Sequence, residues 1–522
     1  MNRSTPPQQE QDIRIQMLNA FLSCPHRDTE QIKGVHQTLA SQDPVFYAHL
    51  ACWYKRHGDI RDHMEVFTSL LSVDSYLDNR EVGLALFREM PVFLKRRVIG
   101  FIKGKKIKLR HKTGSKKKIK GKQIDEVQIE KKIVGLFKNI PTSFKREIEQ
   151  YLRWLESDDA RFDAIALGRS NDLKALYACE SIKPSARAQK ILFDKEYPDA
   201  SKMTLLKKIS EATPDKAAEL IVENKIPYTT AVGLIEQMTP SIIAALVNNM
   251  SPQELINNIS SLEERGVLNN PAIKEMIDKK LEKAQKSANV ATLKSKVAKK
   301  SVKSEELADK LDKVADAQVK RKASIKVPTA LFIDKSGSLD VALDVGKNCA
   351  ALVSGATEAP VFVVAFDTMP RQIISEVNTL TGWEKAFSPL RANGGTSIGC
   401  ALEYLRIKGY YVDQIVVVTD GDENQYPYFT NVYEAYAQAL NVRPSVVVIR
   451  VGSWKENFVN RLQGAKIDYE VYTPQGADYY ALPGLIPLLA KSNKLDLLME
   501  IMDTPLLKRK PFQTHSRKLG RS

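Results

Sequence analysis

At Val327 the hydropathy pattern of the chain changes period, and that change divides what the two parts can fold into. Beyond it, short β-rich runs at Ala330–Asp334, Val361–Phe366, Gln414–Thr419 and Ser445–Val451 alternate with helical stretches such as Val341–Val353 and Ile398–Ile407. Nearly continuous Val/Ile runs separated by helices predict a parallel sheet covered on both faces, a doubly wound, Rossmann-like α/β domain over 327–484. Ligands of such sheets bind beyond the carboxyl ends of the strands, so the chemistry is expected there.

Before Val327 the grammar is helical. From about residue 10 to 285, apolar residues recur at three- and four-residue spacing between short polar breaks. The stretch Ala217–Glu236 shows the signals well. Thr213-Pro214-Asp215 reads as an N-cap with proline at the first helical position, and Thr239-Pro240 and Ser251-Pro252 repeat the device. Ser251 with Glu254 adds a capping box. Successive helices of this kind predict stacked helical hairpins of the HEAT-like sort over 1–285, although no strict repeat period is present. Residues 286–326, rich in Lys, Ala, Ser, Glu and Asp and without aromatics, read as a solvated linker or long exposed helix. Residues 485–522 read as a further helix and a basic tail, disordered from Lys508 onward.

Composition narrows the chemistry. The 522 residues hold 43% hydrophobic and 27% charged side chains, enough to bury cores and rule out wholesale disorder. No apolar run approaches the roughly 18 residues that cross a bilayer, and the polar start, MNRSTPPQQEQD, lacks the apolar stretch of a secretory signal. Cys24, Cys52, Cys179, Cys349 and Cys400 are scattered and odd in number, which argues against a disulfide framework and predicts a cytoplasmic protein. Between His111 and His515 there is no histidine, so a His/Cys zinc site or a Ser-His-Asp hydrolase has no place in that stretch. The net charge of +16 is divided unevenly. Val327–Gly484 carries 12 Lys+Arg against 17 Asp+Glu, net −5, which leaves +21 for the remainder.

The first strand of the α/β domain ends in Asp334-Lys335-Ser336-Gly337-Ser338, one carboxylate and two hydroxyls two residues apart. Asn393-Gly394-Gly395-Thr396-Ser397 places a threonine hydroxyl at the start of a helix, and the run Gln414–Thr419 ends in Asp420-Gly421. Taken singly, each is a common turn or loop. Together at strand ends, Asp334, Ser336, Ser338, Thr396 and Asp420 form an oxygen donor set suited to a hard cation, Mg²⁺ first or another divalent ion. Mg²⁺ takes about six oxygens, so five such groups leave a position for an outside oxygen.

A second feature is electrostatic. No acidic residue lies between Glu89 and Asp125, while Lys95, Arg96, Arg97, Lys103, Lys105, Lys106, Lys108, Arg110, Lys112, Lys116, Lys117, Lys118, Lys120 and Lys122 all do. Such a segment favours a polyanion through counterion release without implying sequence specificity. A solubilising or localisation segment is the plainer alternative. Gly104, Gly114 and Gly121 interrupt helix formation and predict a loop over Lys103–Lys122. Further on, Phe144–Leu155 is an amphipathic helix carrying Lys145 and Arg146, and Arg169, Lys174 and Lys183 flank Leu173–Ser185. Trp154 and Tyr177, at helical spacing, read as core rather than as base-stacking platforms.

The strand-end constellation resembles the metal-ion-dependent adhesion site of von Willebrand factor A domains. The resemblance implies that Ser336, Ser338 and Thr396 are direct or near-direct ligands and that Asp334 and Asp420 act directly or through water. It further implies an acidic residue of a protein partner at the open position. A helical-repeat region followed by such a domain resembles the Ro ribonucleoprotein family, whose helical ring is called the TROVE module. Phe144–Leu155, Leu173–Ser185 with Ile182-Lys183-Pro184-Ser185, and Glu223–Met250 around Ile226-Pro227 and Gln237-Met238-Thr239-Pro240 carry that likeness. It implies a ring of helical hairpins binding small noncoding Y RNAs, with single-stranded ends of misfolded RNAs as further ligands and a link to RNA quality control. Lys145, Arg146, Lys174 and Lys183 are carried over as RNA contacts. The Leu173–Ser185 segment has no histidine, which weakens base-specific contact there, and the Lys103–Lys122 run looks like an addition.

The expectation is therefore a noncatalytic RNA-binding protein of the Ro type, with a metal-binding A domain as its protein-docking element. The alternative is a protein–protein adaptor that uses the Mg²⁺ site and has no cognate RNA. A metal-dependent hydrolase using Asp420 and Asp422 is disfavoured because neither a histidine base nor a second metal cluster is evident.

Overall fold

The computed structural model describes residues 8–22, 29–58, 61–103, 105–119, 122–134, 136–137, 139–199, 201–235, 237–287, 290, 292–322, 325–336, 347, 351–377, 380–392, 394–472, 489–490 and 494–512, with the backbone alone over 105–134. The chain forms two compact units, each assembled from separate segments. One comprises Met1–Phe46, Trp53–Asp62 and Met250–Thr504; the other comprises Tyr47–Cys52, His63–Asn249 and Pro505–Ser522. The division falls inside the helical region rather than at the first strand of the α/β domain.

In the second unit the helices follow the sequence signals. Helix Thr142–Glu156 buries Phe144, Glu147, Ile148, Tyr151, Leu152 and Leu155, the one-sided spacing expected of an amphipathic helix. Asp158 caps the next helix, Asp159–Cys179, by accepting from the Arg161 amide at 3.0 Å. The helix Pro214–Asn224 begins after Thr213 with proline in its first turn, and Pro240–Asn249 begins at its proline.

The basic segment departs from the sequence expectation. Instead of a loop over Lys103–Lys122, strand β1 (Lys105–Ile119) pairs antiparallel with strand β2 (Lys122–Val134), with a register shift between Lys112 and Lys116. Ile107, Leu109, Ile119, Ile124, Val127, Ile129 and Ile133 alternate with charged or polar neighbours in much of this sequence, a strand signal that the glycines and lysines obscured.

The tail departs as well. Described residues from Pro505 to Phe512 are docked within the second unit. Arg509 donates to Glu81 at 2.7–2.8 Å and to Glu147 at 3.0 Å. A run of basic residues carries no hydrophobic period, so its docking was invisible without the carboxylates that receive it.

In the first unit, the described residues between 286 and 326 are largely helical, as the exposed-helix alternative had it, but with a buried face rather than full solvation. Helix Glu305–Lys322 packs with both Thr292–Ser301 and Pro271–Lys286 and buries Leu307, Leu311, Val314 and Ala315. Gln318 donates to the carbonyls of Ala284 and Ser287, both at 2.9 Å. The apolar stripe is present at i, i+4, i+7 and i+8, but it is narrow and surrounded by lysine and aspartate. Ser251, after which Pro252–Glu264 begins, accepts from the Glu254 amide at 3.2 Å, the cap expected there.

The α/β domain has six strands in the order β5-β4-β3-β6-β7-β8: β3 Thr329–Asp334, β4 Val361–Phe366, β5 Pro370–Ile373, β6 Gln414–Thr419, β7 Ser445–Arg450 and β8 Tyr469–Tyr472. All neighbours are parallel except β5, which returns antiparallel on β4. The four strands read from sequence are the central four. β3 and β6 are buried at every residue, as strands covered on both faces must be. β5 and β8 were missed because they are four-residue edge strands with mixed polarity. The expected helix at Ile398–Ile407 is present as Ile398–Lys408, whereas Val341–Val353 lies largely outside the described residues. Among the described residues no helix is long and apolar enough to cross a membrane.

Candidate metal centre and nucleic-acid interface

β3 and β6 are adjacent and parallel, with Ile333 opposite Val418, so their carboxyl ends open at the same level. Asp334, the last residue of β3, accepts from the Ser336 amide on Oδ1 at 2.9 Å and from the Thr419 hydroxyl on Oδ2 at 2.7 Å. Thr419 Oγ1 in turn accepts from the Gly421 amide at 3.1 Å, and Asp420 Oδ1 accepts from the Asp422 amide at 3.1 Å. The loop before helix Ile398–Lys408 is tied to the same place. Asn424 Oδ1 accepts from the Thr396 amide at 3.0 Å, and the Thr396 carbonyl accepts from the amides of Asn424 and Gln425 at 3.0 and 2.9 Å.

Asp334, Ser336 and Asp420 thus stand at neighbouring strand ends, and Thr396 lies in the loop tied to Asn424 and Gln425 just beyond Asp420; all four are buried. Ser338 and Asn393 lie outside the described residues. The donor set meets a specific test for a cation. The Ser336 hydroxyl is buried beside Asp334, whose carboxylate it helps to hold in the charged form and whose two oxygens are aimed by an amide and a hydroxyl. Burial pushes the Asp334 carboxyl up to about 6 against the hydrogen bonds from Thr419 and Ser336, a cost that an adjacent cation would offset. Among the described residues no group of three His, Cys, Asp or Glu side chains is placed to hold a metal ion.

Several residues that the sequence reading passed over hold the centre in shape. Lys335, inside the D-x-S-x-S run, forms an ion pair with Asp367, the first residue after β4. Gly421 has φ +83°, and a Cβ there would stand 2.1 Å from the Lys455 carbonyl oxygen. Glu423 is fully buried; its Oε1 accepts from the amides of Gly399 and Phe429 at 3.1 and 2.8 Å, tying the first turns of helices Ile398–Lys408 and Phe429–Leu440 together. Burial pushes its carboxyl up to about 7. Single-residue composition gives no sign of these roles; only the convergence of loops does.

The cations chosen from sequence fall into three groups. Lys105, Lys106, Lys108, Arg110, Lys112, Lys116, Lys117, Lys118 and Lys122 lie on the two hairpin strands, and Lys120 lies outside the described residues. Lys103 and Lys145 converge on Glu180, at 3.1 and 4.0 Å. Arg146 and Lys183 are exposed, whereas Lys174 is half-buried with its ammonium 6.0 Å from the Phe193 ring. Lys95, counted in the same basic run, does not face solvent. It is 1% exposed, donates to the Arg88 carbonyl at 2.9 Å and to that of Met90, and burial lowers it to about 7.

Trp154 also differs from the expectation of a core residue. Tyr177 is buried and donates to Glu156 at 2.7 Å, but Trp154 is half-buried at the surface end of its helix. The arginines the sequence reading did not single out gather there. The Arg161 guanidinium lies 4.1 Å from the Trp154 ring centroid, and Arg153 donates to the Lys183 carbonyl at 2.9 Å.

A helical-repeat region followed by an α/β sheet with an oxygen donor set at its strand ends defines the class: a multidomain helical protein with a von Willebrand factor A-type domain. The Ro protein (RSR) of Deinococcus radiodurans superposes with a TM-score of 0.52 and 12% identity, covering 86% of this chain and 92% of that one. The chain has the Ro fold along most of its length. A von Willebrand factor type A protein of Catenulispora acidiphila aligns with 32% of this chain and 42% of its own at 20% identity and a TM-score of 0.26. Proximal thread matrix protein 1 of the mussel byssus, with a zinc-occupied MIDAS motif, aligns with 33% of this chain and 48% of its own at 14% identity and a TM-score of 0.26. No family model matches the sequence, and no curated protein matches it.

Proposed function

We propose that this chain is a noncatalytic RNA-binding protein of the Ro type, capturing small structured noncoding RNA, and the single-stranded ends of misfolded RNA, in the cytoplasm. The observation that carries the reading is the Ro fold over 86% of the chain, joined to a charge distribution that concentrates +21 outside the α/β domain. Capture is electrostatic: Lys103, Lys145, Arg146 and Lys183, with the hairpin lysines, neutralise phosphates, and affinity falls steeply with salt. Purification from native cells followed by sequencing of bound RNA tests it. A discrete small structured RNA is the expected result; nucleic-acid-free protein overturns the reading.

The A-domain site is proposed as a protein-docking element. Asp334, Ser336, Thr396 and Asp420, with Ser338, would hold Mg²⁺, and the ion when bound supplies an open coordination position for an acidic side chain of a partner. The buried Ser336 hydroxyl beside the buried Asp334 carboxylate supports this part. It equally supports the adaptor reading, in which the metal site carries all function. Asp334→Ala with Ser336→Ala separates the two: RNA binding survives in the Ro-type reading while partner docking is lost.

A further inference from the structure

The last described residue of the chain covers the aromatic surface of the helix on which Lys145 and Arg146 lie. Phe512 stacks on Trp154 with ring centroids 5.2 Å apart and planes inclined by 26°. The Arg88 guanidinium lies 4.2 Å from the Phe512 ring centroid, and Arg161 lies 4.1 Å from that of Trp154. Two guanidinium groups, an indole and a phenyl ring therefore form one stack at the surface. Tyr151 completes its edge, 6.3 Å from Phe512 and 5.9 Å from Trp154.

Phe512 is held there by its neighbours rather than by deep burial. Arg509 is gripped by Glu81 and Glu147, and the Lys510 carbonyl accepts from Arg88 Nη1 at 2.8 Å. Phe512 itself is half-buried. An aromatic ring lying against Trp and Arg at the surface, on a charged tether, occupies the kind of place a nucleobase takes in single-stranded RNA recognition. Unpaired bases stack on Trp, Phe or Tyr rings and on Arg planes, and the same cations serve the flanking phosphates. Lys145, Arg146 and Lys183 lie on this helix and on the loop that Arg153 fastens to it.

We propose that Trp154, Arg88 and Arg161 form a stacking site for an unpaired nucleobase and that Phe512 masks it in cis. The C-terminal segment is then a self-ligand that single-stranded RNA must displace. This inference rests on the RNA-binding reading and adds to it a second, base-stacking surface with built-in competition.

The test uses the full chain and a fluorescently labelled 12-nucleotide oligoadenylate, followed by anisotropy at fixed salt. Phe512→Ala leaves the Arg509 clamp and every charge in place, and is expected to tighten binding by about fivefold or more, in line with the strength of one base–aromatic stack. Phe512→Tyr keeps the mask and should bind as the wild type does. Trp154→Ala added to Phe512→Ala should abolish the gain, with circular dichroism checking that the helices persist. Equal binding by the wild type and Phe512→Ala overturns the inference and leaves the RNA reading standing. Absence of binding by every form, at low salt and with a structured RNA also tried, overturns both.

Discussion

The Thr419 hydroxyl donates to Asp334 Oδ2 at 2.7 Å while accepting from the Gly421 amide at 3.1 Å, which links the last residues of two neighbouring strands into one site. Thr419 is buried and sits one residue before Asp420. Its hydroxyl aims one candidate ligand and braces the turn that presents another. Thr419→Val keeps the shape, removes both bonds, and should weaken Mg²⁺ binding about tenfold with little change in secondary structure. Calorimetric titration of the full chain with Mg²⁺ checks this.

Mg²⁺ itself should stabilise the protein. At a concentration a hundredfold above its dissociation constant, a ligand specific for the folded state adds about 2.7 kcal/mol. Thermal unfolding with Mg²⁺ against EDTA reads the increment, and Asp334→Ala with Ser336→Ala should remove it. Because burial holds Asp334 protonated up to about pH 6, the cation competes with a proton there. The increment should be full above pH 7 and shrink as pH falls below 6.

Glu423 predicts a pH dependence of opposite origin. Its carboxyl titrates near 7 in the fold, above its ordinary value of 4.5. The folded state therefore holds a proton that the unfolded chain has released. The associated stability is present in full below pH 4.5 and is lost as pH rises through 7, on the order of 3 kcal/mol in total. Glu423→Gln keeps an oxygen for the Gly399 and Phe429 amides and cannot ionise. Urea unfolding in EDTA between pH 5 and 8 should show a flatter slope for the variant than for the wild type.

Gly421→Ala should break the site through the backbone. At φ +83° the added Cβ meets the Lys455 carbonyl oxygen at 2.1 Å, so the turn must move. A loss of roughly 2 kcal/mol or more is expected, together with the Mg²⁺-dependent increment. Gly409→Ala is the matched control, because that glycine is also left-handed at φ +66° and has open space around it.

Replacing Lys116, Lys117 and Lys118 by Glu should lower RNA affinity at low salt by at least tenfold. If the three contact phosphates, the slope of log affinity against log salt falls by roughly 2–3. Filter binding across a salt series measures both, and unchanged affinity removes the hairpin from the interface.

Sequence patterning located the central strands of the α/β domain and many of the helices, because burial on a regular face leaves a period of two, three or four that survives in one dimension. β5 and β8 escaped because short edge strands leave too few periods. Helix Glu305–Lys322 escaped because lysines and aspartates crowd a narrow stripe. The candidate ligands Asp334, Ser336, Thr396 and Asp420 were legible from residue type and from position at the ends of predicted elements. Thr419, Glu423 and Lys335 were not, since each acts through a partner 24 or more positions away.

The chain by itself determined the helical and α/β division, the uneven charge, the absence of histidine between 111 and 515, and an oxygen-only donor set. Those are properties of composition and local order. Only the tertiary structure decided that Lys95 is buried while Lys103 and Lys145 meet at Glu180, and that the basic segment forms a hairpin. It also decided that Phe512, in a lysine- and arginine-rich tail, stacks on Trp154. Pairing between elements decided these outcomes: the buried Lys95 takes carbonyls at the end of the preceding helix, and Arg509 needs Glu81 and Glu147 brought together by the fold.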